Sequence, residues 1–142
     1  MRIILALLVL VALVLAARAD IWSNCGDEND HLHIEQVIIS PNPPKRGELL
    51  VVNASGTLDE TVTGGSIALT VYMGKIKILE KKMDICSMDK SVPCPIAAGP
   101  YKIDVAETVP KSLPRAEYKG KVIATDQDNE QIGCIAFDFK LQ

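Results

Sequence analysis

The chain has 142 residues, 48% hydrophobic and 23% charged, with 9 Gly, 8 Pro and 4 Cys, a balance for one globular domain that excludes disorder, collagen and a multi-domain enzyme. Fifteen basic against 18 acidic residues give a formal charge of -3. No Lys/Arg run exceeds two residues, so nothing offers a phosphate-tracking surface and nucleic acid is not an expected partner.

At the start of the chain Arg2 precedes fifteen apolar residues, Ile3 to Ala17, and then the small-residue tripeptide Ala17-Arg18-Ala19. That order reads as a secretory signal peptide over residues 1–19, cleaved before Asp20. A run of fifteen is short of the ~20 residues that span a bilayer, and no later stretch is apolar enough to serve as a membrane helix. Residues 20–142 then hold 13 basic and 18 acidic side chains, net -5. The expected mature protein is acidic, soluble, and secreted or lumenal.

Seven strands are predicted along residues 20–142: Leu32 to Ser40, Glu48 to Leu58, Gly65 to Met73, Lys75 to Ile85, Tyr101 to Val109, Ala116 to Thr125 and Gln131 to Leu141. Each is a short run rich in Val, Ile, Leu, Thr or Tyr, bounded by Pro, Gly or Asp/Asn clusters. No amphipathic helix stands out. The fold class is all-β, an immunoglobulin-like seven-stranded antiparallel sandwich. Between the first two strands, Ser40-Pro41-Asn42-Pro43-Pro44-Lys45-Arg46-Gly47 holds three prolines without donors and reads as an extended loop. Asn53-Ala54-Ser55 is a glycosylation sequon; with Asn53 outward, Leu50, Val52 and Ala54 point inward. In the third strand the larger aliphatic residues Ile67, Leu69, Val71 and Met73 fall at odd positions, whereas in the fourth they move to Ile76 and Ile78, a change of phase that a bulge at Gly74 would explain. Tyr101, Ile103 and Val105 alternate with Lys102 and Asp104, and Ile135, Phe137, Phe139 and Leu141 alternate with Ala136, Asp138 and Lys140. Asp126 to Glu130 closes a hairpin.

The cysteines Cys25, Cys86, Cys94 and Cys134 number four, which in an oxidising compartment implies two disulfides with three possible pairings. Cys86 and Cys94 lie close in sequence, beside Pro93 and Pro95, and suit a local clip, which leaves Cys25 for Cys134. A clip of the chain ends removes about 4 to 5 kcal/mol of unfolded-state freedom in the chain-entropy model. A four-cysteine zinc site is disfavoured because no Cys-x-x-Cys pair exists.

Catalytic constellations fail one after another. Gly64-Gly65-Ser66-Ile67-Ala68 lacks the second glycine of a nucleophile elbow and enters a strand. His31-Leu32-His33 places two imidazoles on one strand face, yet the sequence supplies no third ligand, so no metal is expected. Asp126-x-Asp128-x-Glu130 resembles the start of a calcium loop, but Gln131 stands where a glycine is needed and Phe137 where a bidentate glutamate is needed. Asp59-Glu60 reads as an acidic loop, not an acid/base pair. No enzyme and no cofactor are expected. What remains is a sandwich with only six aromatic residues among many aliphatic ones, which is either a solid core or an under-filled one able to hold a lipid at ~0.8 kcal/mol per buried methylene.

The early Cys25, the Ser40 to Gly47 loop, Asn53-Ala54-Ser55-Gly56-Thr57-Leu58, Met73-Gly74-Lys75-Ile76, Asp84-Ile85-Cys86, Cys94-Pro95-Ile96-Ala97-Ala98-Gly99 and the late Cys134 together resemble the ML lipid-recognition family. Within it the chain is similar to fungal phosphatidylglycerol/phosphatidylinositol transfer proteins and secreted Niemann-Pick type C sterol-binding proteins. The resemblance spans residues 20–142 and implies disulfides Cys25–Cys134 and Cys86–Cys94, and two sheets that splay to admit a sterol or phospholipid tail. No cysteine lies in the Ser40 to Gly47 loop, unlike the animal sterol binders, and Ile78 stands where they carry an aromatic residue. A phospholipid is therefore at least as fitting a ligand as a sterol.

The expected function is non-enzymatic binding and intermembrane transfer of a phospholipid or sterol, by a monomer that touches membranes transiently in the secreted or lysosome/vacuole lumen space. The alternative is a secreted recognition module of the same fold, immune or allergen-like, with no transferred ligand. The candidate lipid-binding residues are Val71, Met73, Ile76, Ile78, Ile103, Val105, Leu113, Val122, Ala124, Ile135 and Phe137. The mouth is expected at the loops Ile96 to Pro100 and Pro110 to Pro114, with Lys111 and Arg115 facing an anionic headgroup or membrane.

Overall fold

The structure, a computed structural model, describes residues 20–88, 90 and 93–141; the signal-peptide reading of residues 1–19 lies outside them. The described chain forms β1 (Trp22–Asn24), β2 (Leu32–Ser40), β3 (Leu49–Leu58), β4 (Ser66–Met73), β5 (Ile76–Asp84), a four-residue helix α1 (Ile85–Met88), β6 (Gly99–Thr108), β7 (Glu117–Thr125) and β8 (Gln131–Lys140). All seven predicted strands are present, with ends displaced by no more than two residues. The eighth, β1, is three residues long, too short to show alternation, and pairs with Asn24 opposite Ile135 and Trp22 opposite Phe137.

The strands form two antiparallel sheets. One has the order β1-β8-β7-β4-β5 and the other β2-β3-β6. Alternation sets which faces meet, because residues opposite each other across a ladder share a face. In the larger sheet Ile67, Leu69, Val71 and Met73 of β4 lie opposite Ala124, Val122, Gly120 and Tyr118 of β7. In the smaller sheet Val52, Ala54 and Gly56 of β3 lie opposite Val105, Ile103 and Tyr101 of β6. These largely apolar rows turn toward each other and leave Asn53, Lys102 and Asp104 outward, with Asn53 Nδ2 donating to Asp104 Oδ1 at 2.7 Å.

One expectation is corrected at Gly74. It is not a bulge: Gly74 and Lys75 form the tight turn of the β4–β5 hairpin, with Gly74 at φ +59° and Met73 opposite Ile76, a positive φ that glycine adopts without strain. The bulge lies further along, where the register passes from Tyr72–Lys77 to Val71–Leu79 and Ile78 becomes the extra residue. The Asp126 to Glu130 hairpin forms as predicted, its Asp126 Oδ1 accepting the backbone N–H groups of Asp128 and Glu130 at 2.8 and 2.9 Å.

The sheets approach most closely where β2 meets β8, the principal place where their Cα atoms come within 8 Å. At that end Leu58, Val62, Ile96 and Ile132 form the buried core, with Leu32, Ile85, Cys94, Tyr101 and Ala124 packed against it. Both disulfides support this end: Cys25–Cys134, with Cα atoms 4.9 Å apart, and Cys86–Cys94, 5.3 Å apart. At the other end of the sheets Tyr118 and Leu141 are buried, and Tyr118 stacks on Phe139 with ring centroids 5.8 Å apart.

Candidate functional site

Between these two packed ends the sandwich is not sealed. Leu69 and Val71 on β4, Val122 on β7, Ile135 and Phe137 on β8, Val52 and Ala54 on β3 and Ile103 on β6 all face inward, yet each is only half-buried. Inward side chains in the middle of two stacked sheets keep solvent exposure only if the sheets stand apart there, since close-packed interiors leave no such gap. The gap runs to one side. Ile76, Ile78 and Leu79 on the edge strand β5 and Val105 on the edge strand β6 are 63%, 41%, 43% and 37% exposed. The sandwich is therefore closed along β2–β8 and open along β5–β6.

Within the gap, Phe137 reaches across the neighbouring strand because Gly120 has no side chain: a Cβ there would overlap the Phe137 ring. Phe137 also stacks on Phe139, centroids 5.9 Å apart, so these rings and Tyr118 gather on one wall. The opposite wall is aliphatic apart from Tyr101. The bulge at Ile78 carries one charge inward, because beyond it Leu79, Lys81 and Met83 lie opposite the inward Val71, Leu69 and Ile67. Lys81 thus stands on the inward face at the open edge and holds no ion pair among the described residues. A separate groove of about 610 Å³ lies on the outer face of the larger sheet, bounded by Ala68, Thr70, Tyr72, Lys119 and Lys121. Ile21, Trp22, Ile123 and Phe137 also border it, so it is a largely apolar surface groove that includes Lys119, Lys121 and Asp138.

At the closed end a polar cluster surrounds His31. Its Nδ1 lies 2.8 Å from Asp59 Oδ1, and its Nε2 lies 3.1 Å from Glu130 Oε2 and 3.5 Å from Glu60 Oε1. The Asp59 acceptor raises the His31 pKa above its ordinary value against the opposing effect of burial, with Glu130 and Glu60 adding to the rise. The Asp126 carboxyl beside Glu60, together with burial, raises Glu60. Burial pushes Asp126 up, but the backbone N–H groups of Glu130 and Asp128 outweigh it and hold Asp126 below the usual carboxylate range.

A family model described as the ML domain matches residues 19–141. This chain belongs to the ML domain family. A Dictyostelium discoideum protein provisionally named a phosphatidylglycerol/phosphatidylinositol transfer protein is 42% identical over 141 residues, covering 99% of this chain and 100% of its own. Among solved structures, a Niemann-Pick type C2 protein from Japanese carpenter ant superposes with a TM-score of 0.69 at 18% identity, covering 87% of this chain and all of that one. Chicken MD-1 complexed with lipid IVa superposes at 0.62 with 15% identity, covering 84% and 86%. The two disulfides mark this ML domain as a protein of an oxidising, extracellular or lumenal, setting.

The residues singled out from sequence fall into four groups within this ML domain. Val71, Met73, Ile103, Val105, Val122, Ile135 and Phe137 share the inward faces, and Ile76 and Ile78 line the open edge. Ala124 packs instead against the sealed core. Leu113 sits in the β6–β7 connection, where its carbonyl accepts from Arg46 at 3.4 Å. Leu69, Leu79, Val52 and Ala54 were absent from that set; alternation placed Leu69, Val52 and Ala54 inward, but the bulge hides Leu79.

The expected mouth is corrected. Ile96 is buried and forms a two-way bridge with Val62, N–H to O at 2.9 and 2.8 Å, so its prolines border a sealed loop. The loop of Pro110 to Pro114 lies at the other end of β6, about 30 Å away at strand rise, and it is held down where Tyr118 Oη donates to the Pro114 carbonyl at 2.9 Å. Two loops at opposite ends of one strand cannot frame one opening.

Proposed function

We propose that this ML domain is a non-enzymatic lipid carrier that takes one phospholipid or sterol tail between its sheets through the β5–β6 edge and moves it between membranes. The observation that carries this reading is the row of inward, half-buried aliphatic side chains between two packed ends. A tail filling that row gains ~0.8 kcal/mol for each methylene removed from water, with no charged contact required. The lipid-transfer name of the 42% identical relative and the lipid in the MD-1 complex support the same reading.

Lys81 favours a phospholipid over a sterol, because an ammonium on the inward face at the open edge meets a phosphate there. Lys75, Lys77 and Lys82 share β5 and its turn with exposed Ile76, Ile78 and Leu79, a pairing of apolar and basic side chains suited to brief contact with an anionic membrane surface. The lining residues in this reading are Val71, Met73, Ile76, Ile78, Ile103, Val105, Val122, Ile135 and Phe137, joined by Leu69 and Leu79; Asn53, outward on β3, carries the glycan. The protein acts as a monomer, secreted or in a lysosome/vacuole lumen, without nucleic acid.

Native mass spectrometry with lipid extraction, on the secreted protein with its disulfides intact, tests the proposal. A one-to-one lipid adduct is expected. A clean apo mass that also fails to take up added phospholipid or sterol overturns it in favour of a surface-recognition module.

A further inference from the structure

Five side chains from three separate segments converge at the closed end of the sandwich. His31 precedes β2, Asp59 and Glu60 follow β3, and Asp126 and Glu130 bound the β7–β8 turn. One ligating atom from each of His31, Glu60 and Asp126 lies within 4.8 Å of the others. Asp126 is 3% exposed. Its Oδ1 is committed to two backbone N–H groups, whereas Oδ2, like Glu60 Oε1, is buried with no hydrogen-bond partner among the described residues. Buried carboxylate oxygens without donors are costly, and two of them side by side repel unless positive charge comes between.

We infer that His31, Glu60 and Asp126 form a binding site for one divalent cation, with Asp59 orienting the imidazole. Asp59 Oδ1 accepts from His31 Nδ1 at 2.8 Å, which leaves the Nε2 lone pair directed at the carboxylates, the carboxylate–histidine arrangement that supports a metal ligand. The spacing fits as well. Neighbouring tetrahedral ligands at zinc bond lengths stand about 3.4 Å apart, and His31 Nε2 lies 3.5 Å from Glu60 Oε1. One nitrogen with carboxylate oxygens suits zinc or a similar transition ion, not calcium, which favours oxygen alone. No Lys or Arg pairs with these carboxylates among the described residues. The ion joins the β2–β3 sheet to the β7–β8 hairpin, so its role is to fasten the two sheets at the end away from the lipid opening. This inference does not depend on the lipid reading.

The test is calorimetric titration of the chelator-treated protein with zinc chloride alone, beside thermal unfolding with and without zinc. The expected result is one zinc per chain and a higher Tm with zinc. Asp126→Asn keeps an oxygen for the turn but removes the ligand, and lowers zinc affinity by about tenfold or more. Glu60→Gln does the same, and carries the test should Asp126→Asn fail to fold, because Glu60 Oε1 has no hydrogen-bond partner to lose among the described residues. Exposed His33, 3.7 Å from Asp59 Oδ2, is outside the site, so His33→Ala leaves zinc binding in place. No zinc uptake by the parent protein overturns the inference. So does unchanged affinity in both carboxylate variants, or loss of zinc in His33→Ala alone, which puts the ion on the histidine pair.

Discussion

Replacing Val71 with tryptophan tests the lipid cavity one strand in from its open edge. Val71 is on β4, inside the larger sheet, with Gly120 opposite it on one side and Leu79 on the other, and it remains half-buried. An indole there adds roughly the volume of three methylenes and displaces as many from a bound tail, which at ~0.8 kcal/mol each costs about 2.4 kcal/mol of binding. That is about a 50-fold weaker Kd. The same substitution at Val105 or Ile78, 37% and 41% exposed, lets the indole turn outward along the open edge and costs at most a few-fold. The assay is an equilibrium titration with a fluorescent phosphatidylglycerol, with thermal unfolding to establish that each variant is folded. A folded Val71→Trp variant that binds within twofold of the parent refutes the cavity, and a larger loss at Val105 or Ile78 than at Val71 moves the lipid from the gap to the edge.

Lys81→Glu places an acid on the inward face at the opening, and is expected to slow transfer of phosphatidylglycerol more than of phosphatidylcholine, with the difference shrinking as salt rises; equal effects on both lipids would remove Lys81 from headgroup contact. Gly120→Ala forces its methyl against the Phe137 ring and within 2.7 Å of the Thr70 carbonyl oxygen, an overpacking that costs about 1 to 3 kcal/mol and is read as a lower denaturant midpoint. Replacing Cys25 and Cys134 with serine opens a link across 109 residues and removes about 4 to 5 kcal/mol in the chain-entropy model, enough to abolish secretion of folded protein. In chelator-treated protein His31→Gln tests the cluster's pH dependence. The folded pKa of His31 is raised, so its contribution is full at acid pH and is lost as pH rises through that folded value; the variant therefore loses more stability at about pH 5.5 than at about pH 8.5. The groups facing His31 are Asp59, Glu60 and Glu130, with Asp126 behind Glu60, and an equal loss at both pH values would show that the imidazole is not charged there.

The strands were legible because one buried face imposes a period of two, and that pattern survives wherever a ladder is regular. It failed where the ladder is irregular. The bulge at Ile78 slips β5 by one residue, so Lys81, outward in the simple alternation of Ile76 and Ile78, lies opposite Leu69 on the inward face, and such a slip exchanges the two faces of everything beyond it. Proline content misled the reading of the mouth, since Pro95 beside Ile96 signals missing donors but says nothing of Val62, which closes that loop from 34 positions away in the sequence. The polar cluster was hidden for the same reason. His31 with His33, Asp59 with Glu60, and Asp126 with Glu130 each lack partners when taken alone, and only the pairing of β2 with β3 and of β7 with β8 brings them to one end.

The distribution of these ties decides how the sandwich can move. The buried core, both disulfides, the Val62–Ile96 bridge and the His31 cluster all lie toward the closed end, and opening the sheets there would break several of them at once. Beyond the β5–β6 connection that Cys86–Cys94 clips, separation along that edge mainly exposes Ile76, Ile78, Leu79 and Val105, which are already wet. Two unpaired edge strands flanking an apolar gap invite pairing with a second chain. The lysines of β5 and the charged Lys102, Asp104 and Glu107 of β6 oppose it, because inserting like charges beside one another is unfavourable in a ladder. The same residues that keep the edge free therefore also keep it available to a lipid.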